Sequence, residues 1–279
     1  MSSRAHVGEA RYIAPRATLH DRLAYDARIL QVLSRAEFRL KYAGSLLGYL
    51  WSLAKPLMYF TVLWIVFGNL FKLGIQRYPL YLLIGIVLYT FVADAVTAAL
   101  PSIVSSGPTL RRLSFPPLVV PLASSLASAM TFLANCAAVA VFLAVSRIRP
   151  RLDWLLLVPL VLELYAFALA LAIVAATLFV RFRDVGQIWE VAVSLLFFAS
   201  PIMYPTTILP GWAQRLDGFN PFVQVMQDVR SILLGPDATT AGVTARLDTR
   251  LYPIAITLVA LAVGLLVHRR EAPRFAEHT

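Results

Sequence analysis

Three carboxylates interrupt the apolar runs of this chain, and their placement suggests chemistry more directly than any other feature. Asp94, Glu163 and Glu190 each lie among long stretches of hydrophobic residues. An ionisable group inside a membrane is costly and by default indicates function, such as a polar passage or a proton relay. Alternatively, each pairs with an arginine near a span end, as Arg183 would do for Glu190. Glu163 lies nearest mid-span and is the candidate for lining a passage.

The usual catalytic and metal-binding patterns are missing from the sequence. None of the three lysines follows a glycine in a G-x-x-x-x-G-K-[ST] loop, so the chain has no P-loop for ATP. The four histidines lie in the terminal segments without metal-ligand spacing, and the single cysteine, Cys136, lies inside an apolar run. We therefore expect no catalytic residue, no metal site and no cofactor in this chain.

The composition indicates a membrane protein. Of 279 residues, 59% are hydrophobic and 14% are charged, whereas soluble domains contain roughly 45–50% apolar and about 25% charged residues. The 25 basic residues exceed the 15 acidic ones, and they lie in short segments between apolar runs. That arrangement favours contact with anionic membrane lipids and control of topology over binding of nucleic acid.

Six apolar stretches are long enough to cross a bilayer, which requires about 20 residues per helix. The sequence therefore predicts an all-α, polytopic membrane protein. The fifth stretch is the least regular, because it ends in SPIMYP, which suggests a broken or re-entrant end. The predicted spans lie near residues 51–71, 79–104, 116–146, 154–180, 187–204 and 251–268.

The distribution of arginine and lysine predicts the orientation of these spans. With six spans both termini share one side of the membrane, and the segments on that side contain 16 basic residues against nine on the other. Because basic residues are retained on the cytoplasmic side, we expect both termini in the cytoplasm.

Residues 19–40 are expected to form an amphipathic helix in the membrane interface. Leucines recur at helical spacing among charged residues, and Thr18 followed by Asp21 resembles a capping box. Packing on a partner protein is the alternative to lying in the interface plane. The preceding residues 1–17 lack the apolar core of a signal peptide, and we expect them to form a flexible cytoplasmic leader.

The segment between the last two spans contains another amphipathic helix. Asn220 provides an N-cap, Pro221 suits the first helical position, and Gly235-Pro236 ends the helix. Its length of ~21 Å is too short to cross, so we expect it on the outer face, dipping into the membrane. Closing an exit and serving as a structural lid both fit this pattern. Its apolar face comprises Phe222, Val225, Met226, Val229 and Leu233.

Four short segments, spread over most of the chain, carry a family resemblance. The first is KYAGS followed by LGYLW within residues 41–51, and the second is LSFPPLVVP at 113–121. The third is Arg183-Asp184 leading to SPIMYP, and the fourth is Asn220-Pro221 with its helix. In this order, with six spans, they resemble the permease subunit of bacterial ABC-2 exporters for lipid-linked polysaccharides such as O-antigen, teichoic acid and capsule.

The resemblance implies a homodimer in the bacterial inner membrane, bound to two copies of a separate ABC ATPase that holds ATP and Mg²⁺. It implies one transmembrane domain over 18–279, with the helix at 18–42 shaping a cargo entrance and the 203–250 segment forming outer gate helices. Phe222, Val225, Met226 and Val229 would belong to that gate. Residues 107–117 would form a coupling helix seated in the ATPase. The coupling residues are Thr109, Leu110, Arg111, Arg112, Leu113 and Phe115.

The implied cargo is a polymer on a polyprenyl pyrophosphate. Arg39, Lys41 and Tyr42 are predicted to meet its pyrophosphate, because cations bind phosphate strongly. A cell-wall galactan is one candidate, since many arginines and alanines with few lysines are typical of a high-GC genome. For each aromatic side chain that is predicted to line the passage, packing against membrane lipid is the alternative. The predicted passage residues are Tyr59, Trp64, Tyr89, Glu163, Tyr165 and Tyr204.

Two other functions fit the sequence. A related ABC-2 permease would export a drug or a small lipid, and its genetic neighbourhood would lack glycosyltransferases. A proton-coupled transporter would use the carboxylates of Asp94, Glu163 and Glu190 as its relay. Transport that survives without ATPase activity but stops with an uncoupler would identify the proton-coupled transporter.

Overall fold

A computed structural model describes residues 19–70, 74–107, 116–235 and 247–272. Within these ranges the chain is helical and contains no strand, as predicted. The predicted leader at 1–17 and the predicted coupling residues at 109–115 lie outside them. Among the described residues, five helices are long and apolar enough to cross a membrane. These are Leu50–Asn69, Tyr78–Ala99, Val119–Val145, Leu152–Arg181 and Leu251–Glu271.

The helices are numbered here in chain order. They are α1 (Leu19–Tyr42), α2 (Leu50–Leu63), α3 (Tyr78–Ala99), α4 (Ser102–Ser105), α5 (Val119–Val145), α6 (Leu157–Arg181), α7 (Val185–Ala199), α8 (Gly211–Asp217), α9 (Pro221–Leu234) and α10 (Leu247–Glu271). A π-helical segment, Trp64–Leu70, continues α2, and a 3₁₀ turn, Leu152–Leu156, precedes α6.

The predicted N-terminal helix is present as α1, and it packs against the start of α5. After α1 the chain turns at Gly44 and Gly48, whose φ angles of 75° and 50° favour glycine. These turns separate α1 from the first span, so the two are distinct helices. The contact joins Ile29, Leu30 and Leu33 to the buried Val119 and Val120.

The centre of the fold is α3. Protein covers 67% of its most apolar stretch, compared with 17% for the first span. It contacts α2, α5, α6 and α9. By contrast, α7 contains no buried residue. In a bilayer the outward faces of α2 and α7 must therefore be covered by lipid or by another protein chain.

The predicted fifth span, 187–204, is a shorter helix than expected. α7 has 15 residues, about 22 Å, and ends before Ser200, because a residue preceding proline is pushed toward extended geometry. Near the start of α7, Trp189 Nε1 donates to Thr97 Oγ1 at 2.8 Å. Beyond its end, Tyr78 Oη donates to the Met203 carbonyl at 3.0 Å. The helix and the following turns therefore run antiparallel to α3.

The predicted capped helix between the last two spans is α9. The Asn220 Oδ1 atom accepts a hydrogen bond from Phe222 N at 3.0 Å, and Pro221 occupies the first turn. The helix ends at Gly235, whose φ is 101°. Residues 221–230 are buried on both faces, so the polar face of α9 also packs against protein.

Replacing Asn220 by alanine is expected to destabilise the protein by about 1 kcal/mol, because the Phe222 N–H loses its acceptor. Asn220→Asp is the matched control, since its carboxylate oxygen keeps the cap. Thermal unfolding of the purified protein in detergent would measure both. Equal losses in the two variants would contradict the capping role.

Candidate functional site

A cavity of about 440 Å³ lies where the end of α1 meets α2, α3 and α5. We call it the lysine cavity, because two of the three lysines of the chain line it. Short polar side chains from α3 and α5 complete its wall, together with Tyr59 of α2. Its polar lining includes Lys41, Lys55, Thr90, Asp94, Thr131 and Asn135.

An ion pair crosses the mouth of this cavity. Lys41 Nζ lies 3.0 Å from Asp94 Oδ2, which links the end of α1 to α3. The two side chains are 33% and 48% exposed, so the pair adds at most about 1 kcal/mol to stability. Asp94 thus pairs with a lysine, where the sequence suggested an arginine. Because the link is weak, an anionic ligand can compete for Lys41.

Asn135 presents an unsatisfied acceptor to the same cavity. Its side chain is 4% exposed, and its Oδ1 atom has no hydrogen-bond partner within the described part of the chain. A buried amide oxygen without a partner costs about 1–3 kcal/mol. A ligand hydroxyl would satisfy it. The cavity therefore combines cations that suit a phosphate with an acceptor that suits a hydroxyl group.

Of the three predicted entrance residues, the structure places Lys41 in the cavity. Arg39 is exposed on α1 and does not line it, and the side chain of Tyr42 lies outside the described residues. Lys55 and Asn135 were missed. The rarity of lysine in this chain could have indicated a role for Lys55. A single asparagine in a long apolar run does not indicate which surface its side chain faces, so Asn135 could not have been predicted.

The predicted passage rings have two kinds of surroundings. Tyr59 and Trp64 lie on the exposed face of α2 and its extension, with Tyr59 in the lysine cavity. Tyr89, Tyr165 and Tyr204 are partly buried, and each hydroxyl lies within hydrogen-bond distance of another helix. Their roles in a passage, like that of Glu163, stay predictions.

A fully buried arginine joins the broken end of α7 to α3 and α9. From α9, Arg230 donates to the Tyr81 carbonyl at 3.1 Å, the Pro201 carbonyl at 2.9 Å and the Ile202 carbonyl at 2.8 Å. Its guanidinium carbon lies 3.5 Å from the centre of the Tyr81 ring. We call this arrangement the arginine clamp. All three acceptors are main-chain carbonyls, so the Arg230 side chain provides hydrogen bonds to the backbone of other segments.

Two of the three acceptors in the clamp, the Pro201 and Ile202 carbonyls, belong to turns outside the described helices. Non-helical segments at membrane depth are tolerated only where protein or water pairs their polar groups. Tyr81 Oη donates to the Tyr204 carbonyl at 3.1 Å, adding to the Arg230 and Tyr78 bonds. Gly85 makes room for the guanidinium, because a Cβ there would collide with Arg230 Nη2. The sequence did contain a signal: Arg230 follows Phe222 and Met226 at helical spacing on one face.

The contribution of Asp217, at the end of α8, to the stability of the protein is expected to depend on pH. It is buried, its Oδ2 atom has no partner among the residues described, and burial raises its pKa from 3.8 to about 6. A raised carboxyl pKa means that ionisation opposes folding. The contribution of Asp217 to stability is therefore full below about pH 4, declines as the pH rises to about 6, and stays low above it.

Asp217→Asn is accordingly expected to raise the melting temperature at pH 7.5 by about 2–4 °C and to have no such effect at pH 4. Asp184→Asn, at an exposed position, is the control and should change neither value. Thermal scans at the two pH values would measure this. A gain for Asp217→Asn that is equal at both pH values would contradict the ionisation argument.

The amino-acid sequence of this chain is similar to those of known proteins. Residues 28–234 match the ABC-2 type transporter family. Two O-antigen export system permease proteins RfbA of Klebsiella pneumoniae are each 26% identical over 256 residues, covering 91% of this chain and 96% of theirs. An O-antigen export system permease protein RfbA of Myxococcus xanthus is 25% identical over 254 residues, covering 89% and 94%.

Proposed function

This chain belongs to the ABC-2 type transporter family, and from that premise we propose that it is the channel-forming permease subunit of an ATP-driven polysaccharide exporter. The cargo is a glycan on a polyprenyl pyrophosphate, with a cell-wall galactan as one candidate. The lysine cavity carries the proposal, because it brings two ammonium groups and a buried acceptor together beside the end of α1. The names of the similar proteins support a polysaccharide over a drug.

In this mechanism the pyrophosphate of the cargo replaces the Asp94 carboxylate as the partner of Lys41. In the structure Asp94 pairs with Lys41. A pyrophosphate carries more charge than one carboxylate and makes charge-assisted hydrogen bonds, so it displaces Asp94 and binds Lys41 and Lys55 together. Asn135 accepts from a sugar hydroxyl. Loading thereby replaces the ion pair between α1 and α3 by a ligand that is held from both α1 and α2.

We infer six crossings with both termini in the cytoplasm. Contacts of α7 and the 200–204 turns along the length of α3 support a crossing by this segment, the fifth of the six. The exposed faces of α2 and α7 suit contact with a second copy in a homodimer, with the passage between the copies. ATP and Mg²⁺ belong to a separate ABC ATPase, which residues 107–117 would engage.

The proton-coupled alternative has less support. Asp94 is engaged by Lys41, Glu190 lies exposed on α7, and Glu163 lines a different cavity. Asp94 and Glu163 therefore line different cavities, whereas a relay needs groups close enough to pass a proton. Family membership favours ATP as the energy source.

The test is to deplete the protein in its native host and identify the lipid-linked glycan that accumulates. We expect a polyprenyl-pyrophosphate glycan to build up where an impermeant lectin cannot reach it from outside. Re-expression of the wild-type chain should restore export, and an ABC ATPase should copurify with it. Normal surface glycan with accumulation of a drug or a small lipid would support the efflux alternative and reject the polysaccharide.

A further inference from the structure

Four exposed arginines lie at the C-terminal ends of α6 and α10. Arg181 is the last residue of α6, Arg183 follows two residues later, and Arg269 and Arg270 belong to the last turn of α10. We call these four residues the arginine patch. None of them lines the lysine cavity, so the proposed export site does not account for them.

The packing of α6 against α10 brings the two ends of the patch together. A Cβ atom on Gly264 would lie 3.2 Å from the Ala170 carbonyl oxygen, so the helices are in close contact there. One turn later in α10, His268 Nδ1 lies 3.1 Å from Thr177 Oγ1. Because the residue numbers rise together along both helices, α6 and α10 are parallel. Their C-terminal ends therefore lie side by side.

Aromatic rings hold the first two arginines against this junction. The Arg183 guanidinium lies over the Phe179 ring, 5.0 Å from its centre, and the Arg181 guanidinium lies 5.1 Å from the centre of the Phe182 ring. Phe179 packs on the same buried cluster as Ala272, which directly follows α10. The arginines from the two helices therefore form one surface.

This surface has an excess of positive charge. The segments 181–184 and 268–272 contain four arginines but two acidic residues, Asp184 and Glu271. None of the four arginines forms an ion pair with a described residue. The two helix C-termini together contribute about one unit of partial negative charge, so a positive surplus remains. The patch therefore suits an anionic partner.

An exposed apolar stripe on α10 leads directly to the patch. Val259, Val263 and Leu266 are 62%, 46% and 54% exposed, and with Arg270 they recur every three or four residues, on one face of the helix. From Val259 to Arg270 the helix rises ~16 Å, about half of the ~30 Å hydrocarbon core. A surface that is apolar over one leaflet and cationic at its end matches a phospholipid, whereas a water-soluble protein could reach only the arginines.

We propose that the arginine patch and this stripe bind an anionic phospholipid. Its phosphate lies among the guanidinium groups, which can bind phosphate through two parallel N–H···O bonds, and an acyl chain lies along α10. With both termini in the cytoplasm, as inferred above, this is a lipid of the inner leaflet. The site does not depend on whether the exported cargo is a polysaccharide.

The experiment uses the full-length protein, reconstituted in vesicles of equal parts dioleoyl phosphatidylglycerol, phosphatidylcholine and phosphatidylethanolamine. After extraction in mild detergent, the retained lipids are quantified by mass spectrometry. We expect phosphatidylglycerol to be enriched about tenfold over the other two, because they carry the same phosphate but no net charge.

Arg269→Gln combined with Arg270→Gln is expected to lower this enrichment about tenfold, because it removes the surplus charge of the patch. Arg149→Gln combined with Arg215→Gln is the matched control. It makes the same charge change at exposed positions before the start of α6 and on α8, and it should leave the enrichment intact. Arg269→Lys combined with Arg270→Lys keeps the charge and should retain most of the enrichment.

Should the glutamine pair fail to fold, Arg270→Gln alone, at the end of the stripe, is expected to lower the enrichment about threefold. Equal retention of the three lipids by the wild type would overturn the proposal, and so would unchanged enrichment in the glutamine variants. A glutamine pair that loses a copurifying ABC ATPase but retains phosphatidylglycerol would overturn it too, and would assign the arginine patch to the ATPase.

Discussion

Arg230→Met is expected to lower the stability of the folded protein by at least about 3 kcal/mol. Methionine fills much of the same space but donates no hydrogen bond, so the Tyr81, Pro201 and Ile202 carbonyls lose their charged donor. Each hydrogen bond to a charged group contributes about 1.5–3 kcal/mol. Arg215→Met changes an exposed arginine on α8, and it should stay within about 0.5 kcal/mol of wild type.

Thermal unfolding in detergent, with size-exclusion profiles before and after heating, would measure both variants. Arg230→Lys should fall between them, because lysine keeps the charge but loses the fork of N–H groups that reaches three carbonyls. If Arg230→Met proved as stable as Arg215→Met, the clamp would not be what holds the 200–204 turns.

Gly85 offers an independent check of the same clamp. Gly85→Ala places a methyl group against Arg230 Nη2 and should destabilise the wild type, whereas Gly211→Ala, which meets open space, should not. In an Arg230→Ala background, Gly85→Ala should destabilise the protein much less than it does in the wild type. We expect a coupling energy of about 0.5–3 kcal/mol between the two sites, and strict additivity would show that they do not share this space.

Lys41→Gln combined with Lys55→Gln is expected to reduce polysaccharide export by about 100-fold or more. Each ammonium makes a charge-assisted bond of about 1.5–3 kcal/mol to the pyrophosphate, and every 1.4 kcal/mol is a factor of ten. Surface polymer would be measured by lectin binding, with copurification of the ATPase as a check on assembly. Arg28→Gln with Arg35→Gln, two exposed changes on α1, is the matched control.

Two further variants separate the parts of this prediction. Arg39→Gln tests the predicted entrance residue that lies outside the cavity, and export near the wild-type level would assign the pyrophosphate to the two lysines. Asp94→Asn removes the competitor for Lys41, so less lipid-linked glycan should be needed to stimulate the ATPase. Full export by the double lysine variant would reject the cavity as the cargo site.

Local patterns in the sequence predicted the local structure well. Hydropathy located the five long spans, and Asn220-Pro221 with Gly235 located both ends of α9. The pairing of Lys41 with Asp94 joins residues 53 positions apart, which no local pattern encodes. The burial of Arg230 was missed because its charge was assigned to a loop. Its spacing from Phe222 and Met226 was a local signal for burial, but its three acceptors belong to other segments of the chain.

The arginine clamp also orders the events of biosynthesis. Pro201 precedes Arg230 by 29 residues, and Tyr81 precedes it by 149. The 200–204 turns therefore leave the ribosome before the guanidinium that pairs with their carbonyls exists. Because unpaired backbone cannot rest in hydrocarbon, those turns must wait in water or in the translocon until α9 has been made. The turns that follow α7 are therefore held by a residue that is synthesised after them.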